Sequence, residues 1–175
     1  MEGLRWQEGG LWSSDSFTKA VKRFAADGSH QTVVEVEGSP SGLGFLPDGS
    51  VLVVSQADKS VLKVAPDGTP TVHADFSQFA GGIGNDMLVT KAGHAYVGNL
   101  GFALGEENPE TTRLVHVGPS VRNPGAWSDA CAFGGDDLDT LYMTCNTTTV
   151  EEFNVGKSSA AIATAKVGRK GSAAA

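Results

Sequence analysis

Apolar residues in this chain fall into short runs separated by glycine-centred turns, and the runs come in pairs that recur along the sequence. The first run of each pair is Gly10-Leu11-Trp12, then Asp48-Gly49-Ser50-Val51-Leu52-Val53-Val54, then Gly93-His94-Ala95-Tyr96-Val97, then Thr140-Leu141-Tyr142-Met143. The second is Val21-Lys22-Arg23-Phe24 ending at Asp27-Gly28, Val61-Leu62-Lys63-Val64 ending at Asp67-Gly68, Arg113-Leu114-Val115-His116-Val117-Gly118, and Val150-Glu151-Glu152-Phe153. Trp12, Leu52, Tyr96 and Tyr142 stand about 40, 44 and 46 residues apart, the period of one four-stranded propeller blade.

β-Branched runs bounded by Gly, Pro, Asp and Asn predict strands at 33–36, 51–55, 61–64, 71–73 and 114–117. Pro-Asp-Gly at 47–49 and 66–68 predicts tight turns, since Pro presets φ and Gly accepts a positive one. No segment keeps a helical period over three turns, and residues 76–80 suffice for a single turn. The fold class expected is all-β, one β-propeller domain over residues 1–168 with blade-like repeats at about 1–38, 39–80, 81–118 and 127–168. Two stretches interrupt the pattern, an acidic loop at 105–110 and a bridge at 118–127 crowded with Pro119, Asn123, Pro124 and Gly125. Residues 169–175, rich in Ala, read as a disordered tail.

The chain has 175 residues and about 40% apolar content, enough for one core, and 23 glycines suit a turn-rich β protein. A net charge of −7 with no basic stripe argues against nucleic acid and anionic membranes as partners. Neither a signal peptide nor an apolar run long enough for a membrane helix is apparent, so a cytoplasmic location is expected. Cys131 and Cys145, at the two ends of one strand-turn-strand unit, read as reduced core cysteines. Asn146-Thr147-Thr148 fits the glycosylation triplet, which without a secretory signal carries no weight.

Candidate chemistry sits beside the repeat strands. Glu2 precedes Arg5-Trp6, Asn85-Asp86 opens the third repeat, and Ser128-Asp129 opens the fourth. Carboxylates and amide oxygens are hard donors suited to calcium or magnesium. The same Asn-Asp pair after Gly84 is also a common turn former, and Glu2 also suits a solvated terminus. His30, His73, His94 and His116 show no pairing at metal-ligand spacing, which disfavours zinc. No Gly-x-Ser-x-Gly elbow occurs, and Gly81-Gly82-Ile83-Gly84 lacks the Lys of a phosphate loop. Asp136, Asp137 and Asp139 read as a solvated turn tip.

Four motifs in order carry a family resemblance. They are Glu2-Gly3-Leu4-Arg5-Trp6 with Gly9-Gly10-Leu11-Trp12, then Pro40-Ser41-Gly42-Leu43-Gly44-Phe45-Leu46-Pro47-Asp48-Gly49. Asn85-Asp86-Met87 with Ala95-Tyr96-Val97-Gly98-Asn99 follows, and Ala130-Cys131-Ala132-Phe133-Gly134-Gly135 with Thr140-Leu141-Tyr142 comes last. Together, over nearly all of 2–117 and about 127–168, they resemble the gluconolactonase, senescence-marker and luciferin-regenerating family. The resemblance implies a six-bladed lactonase-type propeller, one divalent cation at the channel end, and hydrolysis of a small sugar lactone or related ester. Calcium is the cation implied first, with zinc or magnesium as alternatives.

By the same resemblance Glu2 carries over as a metal ligand and Asn85 as a substrate-binding residue lining the metal site. Asp86, Asn99, Asn123 and Asp129 are secondary candidates, and no catalytic residue is assigned. The family's two further ligands, one of them also its base, lie in Pro-Asn-Gly and Asp-Gly motifs that have no counterpart here. Asn123-Pro124-Gly125 has the first composition in another order. The chain passes from Val117 to Ala130 where the family has about two more blades. Two readings follow: a metal-dependent lactonase-like hydrolase with an incomplete site, or a catalytically inactive, binding-only propeller. In either case the ligand is a small lactone or sugar-like molecule. A four-blade arc must close on itself, stay open or pair with a partner, and exposed edges and faces on an open arc would favour a homodimer.

Overall fold

The computed structural model describes residues 1–102, 112–117, 121–122 and 131–166. Its strands form four antiparallel sheets in chain order. The first comprises β1 (Glu2–Gln7), β2 (Gly10–Asp15), β3 (Ala20–Phe24) and β4 (His30–Glu35). The second comprises β5 (Pro40–Phe45), β6 (Val51–Ser55), β7 (Ser60–Val64) and β8 (Pro70–Asp75). In the third are β9 (Gly84–Val89), β10 (Ala95–Asn99), β11 (Arg113–His116) and β12 (Val121–Arg122), and in the fourth β13 (Cys131–Gly134), β14 (Thr140–Asn146) and β15 (Ala160–Lys166). Strands follow one another across each sheet, so β1, β5, β9 and β13 are edge strands, and they pack beside one another in that order.

The repeated turns explain why the strands start where they do. Residues 25–29, 46–50, 65–69 and 90–94 each close with the same two backbone bonds. The first N–H donates to the fifth carbonyl, and the glycine N–H donates to the first carbonyl, all at 2.8–3.0 Å. That geometry needs the left-handed backbone, and Gly28, Gly49, Gly68 and Gly93 supply it at φ 82–86°. In three of the four turns an aspartate accepts the N–H two residues on, as Asp27, Asp48 and Asp67 do from Ser29, Ser50 and Thr69. The Pro-Asp-Gly turns expected at 47–49 and 66–68 are therefore present, and the third repeat builds the same turn around Gly93.

Each sheet meets the next front to back, so the core lies in layers between sheets rather than inside any one. Val21 and Val34 on the back of the first sheet pack against Leu43, Val51 and Val53 on the front of the second. Leu52, Val54 and Val61 on its back meet Met87, Ala95 and Val97 on the third. Leu88, Tyr96 and Leu114 then meet Phe133, Leu141 and Met143. Edge-to-face rings cross two of the seams, Trp12 on Phe45 at 5.2 Å and Tyr96 on Phe133 at 5.4 Å. A single 3-10 turn, Ser77–Phe79, falls where one turn was expected.

The fourth repeat departs from expectation. Val150-Glu151-Glu152-Phe153 was read as its second strand-like run, but Val150–Asn154 is a short helix, α1. The pairing strand comes later, as β15, which lies along the whole of β14. A capping box is the physical reason. The Glu152 carboxylate accepts the Thr149 N–H at 2.9 Å, while the Thr149 hydroxyl accepts the Glu152 N–H at 3.2 Å. Val121–Arg122, inside the stretch read as a bridge, pair with β11 as the fourth strand of the third sheet. The acidic loop at 105–110 and the tail at 169–175 lie outside the described residues. Among the described residues no helix is long and apolar enough to cross a membrane.

Two turn aspartates give the fold an acid sensitivity. Lys22 first, then Thr18, hold Asp15 well below the ordinary carboxylate range. Lys63, donating to Asp48 at 2.7 Å, is the main reason that carboxyl sits at about 2 rather than 3.8. Because both are depressed in the folded state, their contribution is complete above the unfolded value and is lost as pH falls through the folded one. The urea midpoint should therefore fall between about pH 4 and pH 2, and the double variant Asp15→Asn/Asp48→Asn should flatten that slope. An unchanged slope in the double variant would remove this explanation.

Candidate functional site

The first three sheets share a feature at the start of their edge strands. The register shifts between Glu2 and Arg5 in β1, between Pro40 and Leu43 in β5, and between Gly84 and Met87 in β9, a β-bulge at the same place each time. Counting back two residues from the apolar positions Leu4, Leu43 and Met87 gives Glu2, Ser41 and Asn85. Bulges re-aim side chains, and here they bring these three together. The Ser41 hydroxyl lies 2.7 Å from Glu2 Oε2 and 3.4 Å from Asn85 Oδ1. It has one proton, and the shorter, charge-assisted bond to Glu2 takes it.

Glycines let the strands come this close. A methyl group at Gly42 would sit 2.3 Å from the Met87 nitrogen, and one at Gly44 would sit 2.1 Å from Val89 Cγ2. With β9 drawn against β5, Arg5 on β1 reaches it, donating to Asp86 Oδ1 at 3.1 Å and to the Met87 carbonyl at 2.6 Å. Arg5 thus ties the strand carrying Glu2 to the strand carrying Asn85. Below the cluster, Ser14 donates to the Ser41 carbonyl at 2.5 Å and Ser13 to the Glu2 carbonyl at 3.1 Å. Ser41 itself is fully buried, Glu2 is exposed and Asn85 is half-buried.

Of the residues singled out in the sequence, Glu2 and Asn85 are brought together. Asp86 is next to them but spends its carboxylate on Arg5. Asn99, across from Gly84 on β10, is buried and accepts a hydrogen bond from Thr112. Asn123 and Asp129 lie outside the described residues. Cys131 and Cys145 are both thiols, not joined in a disulfide. Burial, and after it the Asp86 charge, push the Cys131 thiol up to about 12, which keeps it protonated and unsuited to attack. Ser41 and Arg5 were not singled out in the sequence. The signal for Ser41 was available, since it occupies in the second repeat the position that Glu2 and Asn85 hold in the first and third.

The donors in this cluster are oxygens only: one carboxylate, one hydroxyl and one amide. They fit calcium or magnesium in kind and do not suit zinc, which prefers nitrogen and sulfur. Calcium takes six to eight oxygens, more than these three side chains carry between them. Among the described residues no three His, Cys, Asp or Glu side chains form a metal-binding group. A cleft of about 360 Å³ between the first and second sheets is lined by Gln7, Trp12, Gln31, Phe45 and Asp67. It lies at the far end of β1, roughly 17 Å from Glu2 at about 3.3 Å per residue, and so is separate from the cluster.

Sheets of four strands, and in the last case three, joined front to back with their edge strands gathered side by side, define a β-propeller, and polar oxygens meet at one end of those strands. The chain belongs to the SMP-30/Gluconolactonase/LRE-like family, whose model matches residues 1–123. A gluconolactonase from Xanthomonas campestris aligns in structure with a TM-score of 0.67 at 15% identity, over 82% of this chain and 54% of its own. For a luciferin-regenerating enzyme the values are 0.72 and 15%, over 98% of this chain and 62% of its own. A calcium-binding regucalcin from Agrobacterium tumefaciens gives 0.55 and 17%, over 78% and 49%. At such identities the likeness shows the fold. The chain spans about half to three-fifths of these proteins, and no curated protein sequence matches it.

Proposed function

We propose that this chain is a lactonase-like hydrolase acting on a small sugar lactone or related ester, with a divalent cation, calcium foremost, held in part by Glu2. The observation that carries the reading is the convergence of Glu2, Ser41 and Asn85 on one point in a chain of this family. Glu2 supplies the negative charge, and Ser41 fixes the orientation of its carboxylate. Asn85, half-buried beside them, offers an amide to the hydroxyls or ring oxygen of a sugar-like substrate. A bound cation supplies Lewis acidity toward the lactone carbonyl. The net reaction adds water across the ring C–O bond and yields a hydroxy acid.

Purified protein should hydrolyse an aldonolactone with calcium present, lose that turnover in chelator, and regain it when calcium is restored. Turnover indifferent to chelator would overturn the metal-dependent reading. A binding-only propeller is the contrasting reading, and the single carboxylate in the cluster favours it. Calcium binding without hydrolysis of any lactone in a broad panel is its outcome.

A further inference from the structure

We infer that the cleft between the first and second sheets, at the end of β1 away from Glu2, binds a small organic ammonium ion with an apolar body. Its volume of about 360 Å³ is in the range of ligand pockets, and two kinds of lining residue define what it takes. The floor is apolar: Phe45, Val51 and Val64 line it from the second sheet and Trp12 from the first. The rim carries two carboxylates, Glu8 on the β1–β2 turn and Asp67 on the β7–β8 turn, one from each sheet. No lysine, arginine or histidine is among the described lining residues. An apolar floor under two like charges complements a ligand that is apolar with one positive end. Gln7 and Gln31 add amide oxygens that can accept from the ammonium protons.

The walls are held in place by the protein itself. Trp12 packs edge-to-face on Phe45 at 5.2 Å and donates its indole N–H to the Gln7 carbonyl at 3.3 Å, which joins floor to rim. Arg23 is not among the lining residues. Its guanidinium lies 5.9 Å from the Trp12 ring centre and donates to the Glu8 carbonyl at 2.9 Å, fixing the turn that carries the Glu8 carboxylate. On the opposite wall Ala65 donates to the Thr69 carbonyl at 2.9 Å and Gly68 to the Ala65 carbonyl at 2.8 Å. Asp67 accepts the Thr69 N–H at 2.9 Å, and that bond holds its carboxyl below the ordinary carboxylate range, so it is ionised at neutral pH. Walls fixed in this way leave little to be ordered when a ligand arrives. A hydroxy acid would meet two like charges here, so the cleft does not suit the product of lactone hydrolysis. The inference is therefore independent of whether the chain hydrolyses a lactone.

Phenethylamine is the probe. Titrated into the full chain and followed by heteronuclear NMR, it should saturably shift the side-chain amides of Gln7 and Gln31 and the indole of Trp12. Phenethyl alcohol, the same body without the charge, should bind about 10-fold more weakly, the combined effect of two exposed ion pairs. The double variant Glu8→Gln/Asp67→Asn should weaken the amine by the same factor and leave the alcohol unchanged. Glu35→Gln/Glu37→Gln removes equal charge from exposed positions at the other end of β4, and should bind the amine as the unmodified chain does. Circular dichroism checks that both variants fold, and the comparison of amine with alcohol needs no variant. The inference is overturned by no shift at these residues or by equal affinity for amine and alcohol. Tighter binding of methyl glucoside than of the amine, or equal losses in the two double variants, would overturn it as well.

Discussion

Replacing Gly42 by alanine should lower the melting temperature by about 10 °C, the equivalent of about 3 kcal/mol in a domain of this size. The methyl group would meet the Met87 nitrogen at 2.3 Å, Met87 Cβ at 2.7 Å and the Asp86 carbonyl carbon at 2.8 Å. Two of those three atoms are backbone, so no rotamer change relieves the clash, and β9 must move away from β5. That movement has a chemical consequence. It lengthens the Ser41 to Asn85 approach and strains the bonds from Arg5 to Asp86 and Met87. Gly9→Ala is the control. Its φ is 69°, but nothing lies within 4 Å of the added methyl, so it carries only the backbone cost of about 1 kcal/mol. Thermal unfolding of both variants, followed by circular dichroism, separates the two effects. Equal losses would mean that close approach at Gly42 does not hold the strands together.

Much of this architecture was legible because local chemistry repeats. Gly28, Gly49, Gly68 and Gly93 each impose the same turn, and the runs beside them alternate in a way that assigns faces. The fourth repeat was misread at Val150-Glu151-Glu152-Phe153, where an apolar-ended run was matched to its predecessors by spacing. Thr149-x-x-Glu152 is a capping signature in the sequence itself, and it outweighed that spacing. The candidate site was legible in part. Glu2 and Asn85 stood out through motifs, but Ser41 did not, since a serine before glycine is unremarkable until the strand register is known. Arg5 was hidden for another reason. Its partners lie about eighty residues away, and no periodicity in the chain encodes a bond between β1 and β9. Long-range closeness here depends on the missing side chains of Gly42 and Gly44, which sequence reading takes for turn or strand filler.

Glu2→Gln should lower calcium affinity at least about 100-fold and reduce lactone turnover with it, whereas Ser41→Ala should cost about 10-fold in each. The ranking follows from charge. Glutamine keeps the size of Glu2 and its hydrogen bond to Ser41, but removes the one carboxylate among three converging side chains. Ser41→Ala leaves that charge in place and removes only the group that orients it, the usual magnitude of an outer-shell loss. Asn85→Ala belongs between them in turnover but should leave calcium affinity closer to wild type, because a neutral amide contributes less to cation binding than to holding substrate. Calorimetric calcium titration and steady-state hydrolysis, run on the same samples, give the two readouts separately. If Glu2→Gln binds calcium as wild type does, the cation is not held where β1, β5 and β9 bring their bulges together. If Ser41→Ala costs more than Glu2→Gln, the hydroxyl does more than orient the carboxylate. Loss of turnover in Asn85→Ala with calcium affinity preserved would assign the amide to substrate, and the opposite pattern would assign it to the cation.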